Sequence, residues 1–299
     1  MRRLVVPGLC CGLALGACGT TNGASSEAQA VDDSVFMERM PGVQPGGTQA
    51  GLPAGASAAE ERLAASPRHG EWVTVRTGPA DSVRAWVVYP ERAEAAPVVV
   101  VIHEIFGLSN WIRAVADQFA ADGFVAIAPD LLTMKDIPAG ADGAPDPEVA
   151  RTQIRTLDMD DVHRQIRAAA EHAMALPAAA QSYGIVGYCW GGSVSFAHAT
   201  RYPDLGASVV YYGTSPDAAA IAGVRTPVLG LYGEDDARVN ATIAPAETAM
   251  REAGQTFVAR IYEGAGHGFL RQQDGREGAN LRATQQAWPE TVRWFRDHL

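Results

Sequence analysis

Cys189 is the residue of this chain whose type and setting offer the most chemistry. It stands in Gly187-Tyr188-Cys189-Trp190-Gly191-Gly192, after the apolar run Tyr183 to Val186 and before a segment that reads as a helix. A G-x-nucleophile-x-G sequence between strand and helix makes a strained turn. Side chains two residues to either side would collide there, so glycine is needed. Such a turn projects the sulfur above the sheet, at a helix N-terminus whose N–H groups and dipole favour a thiolate. The N–H of Trp190 would then point at the oxygen of a carbonyl under attack. The ordinary alternative is an inert buried thiol, the common fate of free cysteine. The choice between them depends on the partners.

The first partner is a base. Gly264-Ala265-Gly266-His267-Gly268-Phe269 follows the run Val258 to Tyr262, and flanking glycines leave the imidazole of His267 free to turn, as a proton shuttle requires. His69, His163, His172 and His298 read as surface or terminal residues, and His198 as packed or solvated on the helix after the turn. The second partner is an acid. Glu234, Asp235 and Asp236 end the preceding strand, and one of them could hold the imidazole in its working tautomer. The residues alone leave the choice open, since helix capping and solvation account for the other two. His103-Glu104 suggests zinc only until position 107, where H-E-x-x-H would need histidine and the chain has Gly107. No metal or other cofactor is expected, and His103 reads as shaping the end of a strand.

The elements that must carry these residues are legible as apolar, β-branched runs. They are Trp72 to Arg76, Val83 to Tyr89, Val98 to Ile102, Val125 to Ala128, Gly184 to Val186, Ala207 to Tyr212, Val228 to Tyr232 and Val258 to Tyr262. Several are continuous rather than alternating, as in strands covered on both faces of a parallel sheet. Helical spacing marks Ile112 to Ala121, a long helix opening at Asp146-Pro147 and running through Val162, Ile166, Ala169, Ala173 and Leu176, then Trp190 to Arg201, about Ile243 to Ala253, and Leu281 to the C-terminus. The alternation predicts an α/β domain, a doubly wound and mostly parallel sheet with helices on both faces, over residues 68–299.

From Ala96 to Leu299 the chain resembles the dienelactone hydrolase family, within the α/β-hydrolase fold. The motifs that carry the likeness are His103-Glu104-Ile105-Phe106-Gly107-Leu108, Ala128-Pro129-Asp130-Leu131, the cysteine turn, Gly233-x-x-Asp236-x-x-Val239 and Gly266-His267-Gly268-Phe269. The chain order Cys, Asp, His is that of α/β-hydrolases. The resemblance selects Asp236 over Asp235 and gives Glu104 the task of helping to form the thiolate. It makes Ile105 the second oxyanion donor beside Trp190 and places Arg271 against a substrate carboxylate. A second family arginine has a weaker counterpart in Arg151. The implied activity is ester or lactone hydrolysis through a Cys189–His267–Asp236 triad and a thioester. The alternatives are a broad carboxylesterase, or a non-catalytic envelope lipoprotein using the fold as a binding module.

At the N-terminus, Arg2 and Arg3 precede the apolar stretch Leu4 to Ala14, and Leu15-Gly16-Ala17-Cys18 resembles a bacterial lipobox. Residues 1–17 are thus expected to be a signal peptide and Cys18 a lipidated anchor in the cell envelope, on the outer membrane since Gly19 follows. A secretory signal cut near Ala17, with Cys18 incidental, is the other reading. Cys10, Cys11, Cys18 and Cys189 are the four cysteines, so Cys189 would be the one free thiol of the mature chain. Residues 18–67, rich in Gly, Ala, Ser and Pro, read as a flexible tether. Formal net charge is −10 over 299 residues, which argues against nucleic acid as a partner. The expected partner is a small ester or lactone bearing a negative charge, bound by a monomer that meets the membrane only through its anchor.

Overall fold

The predicted strands assemble into one sheet in a computed structural model that describes residues 49–141 and 143–299. The strands are β1 (Gly70–Arg76), β2 (Ser82–Val88), β3 (Ala96–Ile102), β4 (Val125–Asp130), β5 (Ala179–Tyr188), β6 (Ala207–Tyr211), β7 (Val228–Asp235) and β8 (Phe257–Gly266). Their order is β1-β2-β4-β3-β5-β6-β7-β8. β2 pairs antiparallel with β1 and β4, and every other pairing is parallel. A parallel sheet leaves all its strand ends of one polarity along one edge, and it is at that edge that loops can gather functional groups.

The helices are α1 (Ala59–Ala64), α2 (Asn110–Ala121), α3 (Pro147–Gln153), α4 (Met159–Met174), α5 (Trp190–Ala199), α6 (Ala218–Ile221), α7 (Ala237–Asn240), α8 (Ile243–Glu252) and α9 (Ala279–His298). The period of two along β3 divides them between faces. Val99 and Val101 join a core with residues of α2 and α9, whereas Val98, Val100 and Ile102 join one with α4, α5 and α8. All five side chains are 0% exposed. That two-sided burial explains the unbroken run of valines.

Three expectations change. The single long helix from Asp146 is two helices, because Leu157 is extended (φ −73°, ψ 135°) and Asp158 caps a new start, its side chain accepting from the N–H groups of Asp160 and Asp161. The predicted tether does not run to residue 67 as loose chain. Leu52, Ala54 and Ala59 are buried, and the carboxylate of Asp117 on α2 binds Arg68 at 2.7 Å and Arg62 at 3.4 Å. Composition hid this, since small residues can pack closely even where they bury little each. Finally, His163 is not on the surface but buried against His198, Nδ1 to Nδ1 at 3.1 Å. The expected signal peptide, Cys18 and the first residues of the expected tether lie outside the described residues.

Candidate active site

The turn after β5 holds Cys189 in a conformation that side-chain-bearing residues rarely adopt, φ 56° and ψ −115°, as the residue capping α5. Its N–H donates to the carbonyl of Tyr211 at 3.0 Å and its carbonyl accepts from Ser193 at 3.2 Å, so both neighbours fix the strain. The flanking glycines are there for space. A Cβ on Gly187 would lie 1.8 Å from the carbonyl oxygen of Gly191, and one on Gly191 would lie 2.4 Å from that of His103. The second contact brings the turn against the end of β3, which carries Glu104.

Burial, reinforced by the nearby Glu104 carboxylate, raises the pKa of the Cys189 thiol to about 11, although the N–H of Trp190 and the charge of Arg238 pull the other way. The helix N-terminus is therefore present as predicted, but desolvation outweighs it.

Asp236 follows β7 and is 9% exposed; His267 follows β8. Imidazole Nδ1 and Asp236 Oδ2 are 2.6 Å apart. This leaves Nε2 for proton traffic. The neighbouring acids have other work: Asp235 pairs with Arg276, and Glu234 accepts from the N–H of Gly264 at 2.9 Å. A residue without any motif completes this wall. Tyr212, just past β6, is 0% exposed with φ 40°. Its ring stands edge-on to His267 at 5.1 Å, and burial, reinforced by the nearby Glu104 carboxylate, pushes the pKa of its hydroxyl well up. Its position at a parallel strand end was the one available signal.

Glu104 is buried, with Oε2 3.3 Å from Nε of Arg271. Burial raises its pKa to about 7 against the opposing pull of Arg271. The Arg271 guanidinium also lies over Phe106, 4.8 Å from the ring centre. His103 is wholly buried and serves the backbone: Nδ1 lies 2.7 Å from the Glu104 carbonyl, and Nε2 accepts from Leu131 at 3.3 Å. Donating through one nitrogen and accepting through the other, it is a neutral imidazole. It stacks on Trp190 at 5.6 Å, and Ile105 packs with Trp190 in the same small cluster. Arg151, by contrast, is exposed on α3 and pairs with Glu148 of its own helix at 3.0 Å. Among the described residues no group of three or more His, Cys, Asp or Glu side chains could hold a metal ion.

The family model for dienelactone hydrolases matches residues 83–299, from β2 to the last residue. The chain belongs to the dienelactone hydrolase family. Like other members, it is a hydrolase of the α/β-hydrolase fold. A relative, protein usf of Aquifex pyrophilus, is 31% identical over 73% of this chain and 94% of its own length. A Salmonella typhimurium protein provisionally named a carboxymethylenebutenolidase is 28% identical, covering 72% of this chain and 83% of that one. Among solved structures, a Klebsiella pneumoniae protein provisionally described as a dienelactone hydrolase superposes with a TM-score of 0.66 at 26% identity. That match covers 76% of this chain and 98% of the other. The family match begins at residue 83, so the packed segment around Ala56 and the strand β1 precede it.

Proposed function

We propose that this protein hydrolyses an ester or lactone through a thioester on Cys189, with His267 as base and Asp236 as its partner. The observation that carries the reading is the 2.6 Å contact between His267 Nδ1 and Asp236, made along the sheet edge where the strained Cys189 turn also lies. The Cys189 proton moves to His267, with Glu104 assisting, and the sulfur adds to the carbonyl carbon. The N–H groups of Trp190 and Ile105 take the oxyanion. The C–O bond then breaks, and the departing oxygen receives the proton from His267. In the second half, His267 takes a proton from water as its oxygen attacks the thioester. The C–S bond breaks and the sulfur is reprotonated, with one water consumed per turnover.

The ion pair of Glu104 with Arg271 supports an anionic substrate. A substrate carboxylate can take the guanidinium through two parallel N–H···O contacts, and Glu104 is then free to act on the thiol. The family name of the Salmonella relative refers to a lactone that carries a carboxylate, which fits this reading. Cys189→Ala is expected to abolish hydrolysis of an activated ester, and Cys189→Ser to keep a small fraction, because a serine hydroxyl ionises at far higher pH than a thiol. Near-normal turnover by the alanine variant would remove the mechanism.

We also propose attachment to the cell envelope through a lipid on Cys18. It is supported by the sequence Leu15-Gly16-Ala17-Cys18 behind a basic, apolar leader. Mass spectrometry of the mature N-terminus tests it: an unmodified Cys18, or a start elsewhere, rejects the anchor.

A further inference from the structure

Residues 52–57 run across the loop that carries Arg271. The N–H of Ala56 donates to the carbonyl of Arg271 at 2.8 Å. The side-chain amide of Gln273 donates to the carbonyl of Pro53 at 2.9 Å, and the hydroxyl of Ser57 to Asp274 at 3.0 Å. Three successive parts of the loop, Arg271, Gln273 and Asp274, are thus bound by three residues of one short segment. The loop's own turn is closed by the N–H groups of Arg271 and Gln272, both donating to Gly268 at 3.0 and 2.9 Å. Those bonds set its local shape; the segment around Ala56 fixes it from outside.

The segment is itself well held. Leu52 and Ala59 belong to the same buried core as Leu270, and Ala54 between them is buried too. The indole N–H of Trp111 donates to the carbonyl of Ala54 at 3.0 Å, and the same ring stands edge-on to Tyr188, 5.1 Å away, the residue before Cys189. Further along, Asp117 holds Arg62 and Arg68. One strap therefore touches the Arg271 loop directly and the cysteine turn through Trp111.

We propose that residues 52–57 are a specificity strap that positions Arg271 for the charged end of an anionic ester or lactone. The proposal rests on the reading of Arg271 as the substrate carboxylate site. A guanidinium that recognises a carboxylate by two parallel bonds needs its loop placed to within a fraction of an ångström. Arg271 is held at both ends, its carbonyl by Ala56 and its guanidinium by Glu104. When substrate displaces Glu104, the strap contact remains and, with the turn bond to Gly268, holds the Arg271 backbone in place. The strap lies outside the family-matched residues 83–299, so the selectivity it confers is added to the part of the fold that the family model describes.

The test uses full-length protein and a matched pair of substrates, an activated ester ending in a carboxylate and a neutral ester of the same size. Ala56→Pro removes the N–H that binds Arg271 and little else. Residue 56 opens a 3-10 turn, where proline is tolerated, and Gly55 is extended (φ −67°, ψ 169°), as a residue before proline must be. The expected result is a KM for the anionic ester raised roughly threefold to tenfold, the weight of one hydrogen bond, with kcat and the neutral ester nearly unchanged. Gln273→Ala removes the second contact, and with it the same amide's bond to the Leu270 carbonyl at 3.0 Å, without touching the strap's backbone, and is expected to act in the same direction. In the Arg271→Ala background neither change should add to the loss on the anionic ester. Equal losses on both esters, or full additivity with Arg271→Ala, would overturn the strap proposal. Arg271→Ala by itself separates the two ideas. If it lowers activity on both esters alike, the carboxylate site falls and the strap's role falls with it. If it discriminates while Ala56→Pro and Gln273→Ala do not, only the strap falls.

Discussion

Glu104 carries two demands that pull in opposite directions. As a carboxylate it can assist Cys189, yet as a buried charge it strains the fold. Its pKa rises from 4.5 to about 7, first through burial and against the pull of Arg271, so the folded protein binds its proton more tightly than the unfolded chain does. The stability this gives is complete below pH 4.5 and is lost as pH rises through 7; above that the ionised group costs up to ~3 kcal/mol. Glu104→Gln is therefore expected to melt higher than the parent at pH 8 and at about the same temperature at pH 4. Its kcat/KM should also fall and lose the limb that rises through pH 7. A melting temperature unchanged at pH 8 would mean that the buried charge is not costly. The other site residues differ in how far they could be read in advance. Cys189 and His267 were legible because the glycines around each answer a mechanical need. Asp236 stood in a row of three acids that residue types alone did not separate; the family spacing selected it, and the geometry has it facing the imidazole while the others pair with Arg276 and Gly264. Tyr212 had no motif at all: it meets His267 because two distant strands end at the same edge.

At the scale of the element, the sheet was readable because each buried strand is apolar on both faces, and a run such as Pro97 to Ile102 has few other uses. The helices were harder. Apolar residues at helical spacing continue from α3 into α4, so periodicity joins them; the break is made by the capping carboxylate of Asp158, a local competitor that a window of hydropathy does not weigh. The cysteine turn is the element with least tolerance. Gly187→Ala would place a methyl carbon 1.8 Å from a backbone oxygen of α5, and no side chain can move aside to admit it. The variant is expected to lose activity and most of its soluble yield. Gly78→Ala, whose new carbon meets nothing nearer than 3.5 Å, should differ little from the parent in thermal melting. A stable, active Gly187→Ala protein would show that strand and helix are not locked together as described.

For the whole molecule, charge and redox state have separate consequences. The net charge of −10 makes the surroundings repel anions, so a charged substrate depends on local cations such as Arg271. The N-terminal region was the least legible part, because a stretch of alanine, serine and glycine has the same composition whether it packs or not; its backbone bonds decide. Cys189 is the one free cysteine among the described residues, and no cross-link there contributes to folding. The raised pKa of that thiol has a consequence for durability. At neutral pH the raised pKa keeps the thiolate, the form that oxidants and alkylating agents attack, to a small minority. On the proposed mechanism the sulfur would ionise only with substrate in place, and such a nucleophile is not consumed between turnovers. The idle enzyme should thus survive peroxide far longer than its reaction chemistry suggests. Removing the charge that helps keep the thiol protonated should shorten that survival: Glu104→Gln is expected to take up iodoacetamide at Cys189 several-fold faster at pH 7, followed by peptide mass spectrometry. If the variant were alkylated no faster than the parent, Glu104 would not be what keeps the sulfur in reserve.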